Sequence, residues 1–140
     1  MPTWDELRVH LRATYSVVRD DPEAIALSWA LTAGDQQVIQ GIGLAPTTVD
    51  ERPWLTMIAD LFAESVLQPR TAVLYQDRLP FGTLVLREGV FLVRYGLPLD
   101  TLSLEELDWT LRLLVREATR LRVNVDQLGS TGAPYTHYAE

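Results

Sequence analysis

Two side chains titrate near neutrality without help, His10 and His137, and neither stands in a catalytic motif. His10 falls on a helical face away from the apolar stripe, and His137 lies in a tail bearing Gly and Pro, so both are expected at the surface. The chain has no cysteine, which removes thiol nucleophiles, thiolate metal sites and disulfides. Asp20, Asp21 and Glu23, and separately Asp50 and Glu51, are carboxylate clusters without the loop pattern or histidine spacing of a cation site, and solvated loop ends explain them better. Gly41-Ile42-Gly43 lacks both the third glycine and the following helix of a dinucleotide fingerprint. No catalytic residue, metal or cofactor is therefore expected.

The side chains left to consider are suited to contact rather than reaction. Arg112, Arg116 and Arg120 recur about one turn apart on a helical segment, a spacing that reaches phosphates or an acidic partner, although a solvated flank partly offset by Asp108 and Glu117 explains it too. Beside them Trp109 and Leu113 share a flank next to the apolar stripe. They either widen the buried face or, if exposed, mark a homodimer or partner contact.

With 12 basic against 19 acidic side chains, the formal charge of −7 disfavours nucleic acid and anionic membrane surfaces. An apolar fraction of 47% over 140 residues is enough for one ordinary core, read as a single domain over residues 1–128 with a flexible tail over 129–140. The longest apolar runs, such as Val90-Phe91-Leu92-Val93, are too short to span a bilayer, and a cytoplasmic location is the default expectation.

The elements that position these residues are legible in part. Thr3-Trp4-Asp5-Glu6 reads as a capping box, and Trp4, Leu7, Leu11, Tyr15 and Val18 form one helical stripe that ends before Asp20-Asp21-Pro22. Residues 24–31 alternate with period two, Thr32-Ala33-Gly34-Asp35 supplies a turn, and residues 36–45 return as a second strand. Gly41 and Gly43 fall on one face of that strand, as Ala24, Ala26, Ser28 and Ala30 do on the first. A helix packed on this thin surface is the expected reason, with a groove for a partner segment as the alternative. Residues 46–53 read as a polar, proline-bracketed loop. Residues 54–64 fit helical and alternating templates in part and are taken as a strand. A short helix follows from Gln68-Pro69 to Arg78, closed by Leu79-Pro80. Residues 81–87 and 90–97 form a hairpin about Glu88-Gly89, and Ser103-Leu104-Glu105-Glu106 opens a long last helix. The sum is an α+β fold, α-β-β-β-α-β-β-α, whose five-stranded, mostly antiparallel sheet carries its helices on one face.

The second half carries a further signal: Leu79-Pro80-Phe81-Gly82, Leu84-Val85-Leu86, Glu88-Gly89, Leu92-Val93-Arg94-Tyr95 and Leu97-Pro98-Leu99, then the acidic-to-basic helix. This pattern, best over residues 79–121, resembles the bacterial type III secretion chaperone-like superfamily, which includes the Tir chaperone (CesT) family and the YbjN-type proteins. The resemblance implies the same element order and a small, acidic, non-enzymatic protein that often dimerises and holds a partner polypeptide. It transfers no functional residue, because core, turn and cap residues identify a fold better than an activity. Two other readings stand beside it: a YbjN-type regulator or scaffold without a secreted client, and an enzyme or small-ligand binder with a site assembled near Arg94 and Tyr95.

Overall fold

The computed structural model describes residues 2–131 apart from Gly34, Asp35, Gln68 and Pro80. Both expected helix caps form. The Thr3 hydroxyl accepts the Glu6 amide at 3.2 Å and starts α1 (Trp4–Thr14), and the Ser103 hydroxyl accepts the Glu106 amide at 3.0 Å and starts α3 (Leu104–Thr131). Helix α1 ends at Thr14 rather than at Val18. Val17 and Val18 are β-branched and suit a pleated strand better than a helical turn, and they belong to β1 (Ser16–Asp21), which pairs antiparallel with β2 (Ala24–Ala33). This strand corrects the expected count of five: among the described residues the sheet has six, and the order of elements gains a strand after the first helix.

Strands β3 (Gln36–Val49) and β4 (Arg52–Ala63) form a long hairpin, so residues 46–53 are not a loop. Its turn is Asp50-Glu51, both left-handed at φ 52° and 64°, the pattern of a type I′ turn made without glycine. The prolines that suggested a loop sit where a strand has a neighbour on one side only. Pro46 lies past the start of β2, and Pro53 lies past the Trp54–Pro98 pair that ends the neighbouring strand, so neither missing N–H breaks a ladder bond between two partners. Residues 54–64 are strand for most of their length, with Leu55, Met57, Ala59 and Leu61 alternating into the core.

After a 3-10 turn at Glu64–Val66 come α2 (Pro69–Arg78), β5 (Thr83–Arg87) and β6 (Val90–Pro98). The expected Glu88-Gly89 turn is present, with φ 50° and 79°. All neighbouring strands pair antiparallel in the order β1-β2-β3-β4-β6-β5. Helix α3 runs past residue 128 to Thr131; the residues after it, with His137 and most of the expected tail, lie outside the described residues, as do Gly34 and Asp35 of the first turn and Pro80.

One core joins Leu7 and Leu11 of α1, Ala72 and Tyr75 of α2, and Leu107, Leu111, Leu114, Val115 and Ala118 of α3 to Leu27, Ile42, Leu44, Leu55, Met57 and Val93 of the sheet. Each fully buried leucine contributes about 1.5–3 kcal/mol relative to exposure. These sheet residues alternate with Ala26, Gly43, Ile58 and Arg94, which pair across the opposite face. The glycine-bearing surface is therefore the side away from the helices, and the expectation that a helix lies on it is overturned: a Cβ built on Gly43 would meet nothing within 4 Å. The large apolar residues of β2 and β3 alternate onto the other face, and the helices follow them. Leu92 is the exception on the helix-free face, buried but outside the main core.

Candidate functional site

Helix α3 is the longest element and carries the side chains that the sequence marked for contact. Its N-terminal half is fixed by a polar knot. The Asp108 carboxylate meets His10 Nε2 at 2.9 Å and 3.1 Å and accepts the Tyr15 hydroxyl at 2.5 Å, tying α3 to α1 and to the residue that follows it. The Tyr15 ring lies 4.6 Å from Trp29 of β2 and edge-on to His10 at 6.4 Å. His10 is thus half-buried and paired, which corrects the expectation of a free surface position. A histidine on a carboxylate is also part of a catalytic dyad, but here the third group on the carboxylate is a tyrosine donor that uses the same oxygen as His10. The arrangement satisfies Asp108 and holds two helices together.

Burial, then the hydrogen bond to Asp108, push the Tyr15 phenol well above its ordinary value of 10.0, with the Arg112 guanidinium pulling weakly the other way. The folded state therefore favours the neutral phenol. Its contribution to stability is complete below pH 10 and is lost as pH rises from there toward the raised folded value. Urea midpoints measured from pH 8 to 11 are expected to fall more steeply for the unsubstituted protein than for Tyr15→Phe; equal slopes would mean that Tyr15 does not titrate differently in the two states.

Past this knot the outer flank of α3 is open. Trp109 is 59% exposed, Leu113 is half-buried, and Arg112 and Arg116 are exposed. Trp109 therefore does not widen the core, while Leu113 lies at the margin between core and solvent. The two arginines have no carboxylate within ion-pair distance among the described residues, whereas Arg120 is held by Glu117 at 2.6 Å. Asp108, expected to offset this charge, is occupied by His10 and Tyr15 instead. On ideal helical geometry Trp109, Leu113 and Arg116 share an arc of about 60°, with Arg112 at its border.

The other sequence candidates do not converge. Asp20 takes Arg8 at 2.8 Å and Arg12 at 3.2 Å, Asp21 takes Arg19 at 2.6 Å, and the Arg8 hydrogen bond holds the Asp20 carboxyl below the usual carboxylate range. Among the described residues no group of three or more His, Asp or Glu stands close enough to hold a metal ion. Gly41 and Gly43 are paired inside a strand and open no helix. Arg94 is exposed on the helix-free face, while Tyr95 alternates to the helix side and lies 4.1 Å from Phe81, so the two do not line one site.

Sequence reasoning missed one further group. Gln40 is fully buried, donates to the Gly41 carbonyl at 3.0 Å and the Asp60 carbonyl at 2.8 Å, and accepts from Arg122 at 3.1 Å. Arg122 also reaches the Ile39 carbonyl at 2.7 Å, which anchors α3 to β3. The available signal was a glutamine in register with the apolar residues Ile42 and Leu44.

No protein-family model matches this chain, and no curated protein matches it. Among solved structures, a chain in the crystal structure of the ExsC-ExsE complex is similar to it, with a TM-score of 0.58 and 19% identity over 87% of this chain and 95% of that one. The likeness establishes a shared α+β fold over nearly the full length of both chains. No helix among the described residues is long and apolar enough to cross a membrane.

Proposed function

We propose that this chain is a non-enzymatic protein-binding module of the secretion-chaperone-like kind, one that holds a segment of a partner polypeptide. The observation that carries this reading is the fold it shares with a chain solved in a two-protein complex, the ExsC-ExsE complex; the resemblance of residues 79–121 to the secretion-chaperone-like superfamily supports it. The surface supports it. Among the described residues one face of the sheet bears no helix, and α3 presents an exposed tryptophan beside arginines, the residue types enriched where proteins bind one another. We further propose a homodimer in the bacterial cytoplasm, with Trp109 and Leu113 contributing to either the partner contact or the self-contact.

Affinity capture from native extract, followed by the intact mass of the complex, tests the reading. A defined stoichiometric partner is the expected result, and a protein that stays alone at native concentration would count against it. A secreted client would favour the chaperone role, and a regulator resident in the cytoplasm would favour the YbjN-type role. Trp109→Ala and, separately, Leu113→Ala are expected to weaken the contact by about tenfold or more, ~1.4 kcal/mol, with melting temperature little changed for Trp109→Ala because the indole is largely in water. Unchanged self-association and unchanged partner capture in both variants would remove this flank from the interface.

A further inference from the structure

We propose that the outer flank of α3 seats an acidic segment of the partner, in which two carboxylates stand beside one large apolar side chain. The inference rests on the protein-binding reading and adds the chemistry of what is bound. Trp109 supplies the apolar contact, being 59% exposed on a helix whose next two residues, Thr110 and Leu111, are buried, and the partly covered Leu113 extends the patch. Arg112 and Arg116 supply the charge.

The case turns on where the unpaired cations stand: among the described residues Arg70, Arg87 and Arg94 also lack an ion-pair partner, but they are scattered over α2, β5 and β6, whereas Arg112 and Arg116 share one helix with an exposed tryptophan. Arg8 and Arg12 are neutralised by Asp20, Arg19 by Asp21, Arg52 by Asp100 and Arg120 by Glu117, and Arg122 is spent on Ile39 and Gln40. Arg112 and Arg116 stand one helical turn apart without such a partner, in a chain of net charge −7 with carboxylates to spare. One turn is about 6 Å, which matches carboxylates two positions apart in an extended peptide or four apart in a helical one. The guanidinium fork receives a carboxylate through two parallel hydrogen bonds, so each arginine can fix one acid. A long polyanion fits less well. It would carry charge beyond the two arginines into the field of an acidic protein, whereas a short segment places its acids only where the cations are.

A random 12-residue peptide library displayed on phage tests this with the full chain as bait. The expected enrichment is Asp or Glu at two positions beside Phe, Leu or Trp, and it should vanish with the R112E/R116E bait, whose substitutions lie at exposed positions and whose fold is checked by circular dichroism. A synthetic peptide from the enriched pool should bind at least tenfold more weakly to R112E/R116E and to W109A, and its Gln-for-Glu version should bind the unsubstituted protein as poorly. Enriched peptides without acidic bias, or a bias that survives charge reversal, would overturn the assignment and leave the protein-binding reading intact. Enrichment of nothing, together with failure to capture a partner from extract, would count against both. A single-stranded 12-mer oligonucleotide that bound more tightly than the peptide and was lost in R112E/R116E would make the patch a nucleic-acid site and overturn the proposal.

Discussion

Replacing Gln40 by leucine is expected to lower the unfolding free energy by about 2–4 kcal/mol, although leucine is close in size and the site is fully buried among apolar neighbours. Among the described residues the amide is the one side chain that answers the Gly41 and Asp60 carbonyls at this point, and it receives a charged donor from Arg122. A neutral hydrogen bond contributes roughly 0.5–1.5 kcal/mol and one to a charged group about 1.5–3 kcal/mol, while burial of the added leucine carbons recovers part of the loss. The two carbonyls lie where the pairing of β4 with β6 slips between Asp60 and Phe62, so the ladder is already interrupted nearby. Chemical denaturation of Gln40→Leu, with Arg122→Ala beside it, measures the effect. Losses that are equal, and no larger in the double variant, would show that the two act as one unit. A midpoint unchanged in Gln40→Leu would mean that water replaces the amide at no cost.

The second large effect is expected at Gly82. Its φ of 86° is left-handed, and a Cβ there would stand 2.8 Å from Val93 Cγ1 and 3.3 Å from the Arg94 carbonyl. The left-handed backbone costs a non-glycine residue about 1–2 kcal/mol, and forcing a methyl against a packed valine costs about 1–3 kcal/mol more. The displacement would also reach α2, because Gln76 donates to the Gly82 carbonyl at 3.4 Å and accepts the Leu84 amide, which pins that helix to the start of β5. Gly82→Ala should therefore destabilise by about 2–5 kcal/mol, and in a Val93→Ala background, compared with Val93→Ala alone, it should cost only about the 1–2 kcal/mol of the backbone. Gly43→Ala is the control: no atom lies within 4 Å and φ is ordinary for a strand, so its midpoint should hold or rise slightly. Similar losses at both glycines would refute the steric account.

These two positions also mark how far the sequence could be read. Caps and tight turns are local, set by residues three or four apart, and Thr3, Ser103 and Glu88-Gly89 do what their chemistry prescribes. The three-four spacing of Tyr15 and Val18 extends the first helix too far, since Val18 is exposed on a strand and Tyr15 turns toward Asp108 and Trp29. The prolines of residues 46–53 look like breakers in the sequence, but whether a proline breaks a strand depends on which neighbours that strand has, information that pairing alone supplies. The surface assigned to a helix was judged by its own small residues, although the heavier opposite face decides where helices go. The exposed half of the candidate site was visible as Trp109, Leu113 and the arginine spacing. What holds it was not, because His10, Tyr15 and Gln40 find their partners more than eighty residues away along the chain.

The strand order has a consequence for how a growing polypeptide reaches this shape. From β1 to β4 each strand pairs with the one just made, so the meander can zip up as it leaves the ribosome, with short loops to close and little sequence separation to overcome. Strand β6 must then enter between β4 and β5, and α3 arrives last among the described elements. Until it does, Leu27, Ile42, Leu55 and Met57 have only α1 and α2 to cover them on that side. A chain that ends before Leu104 is therefore expected to keep part of this apolar side open to water and to aggregate.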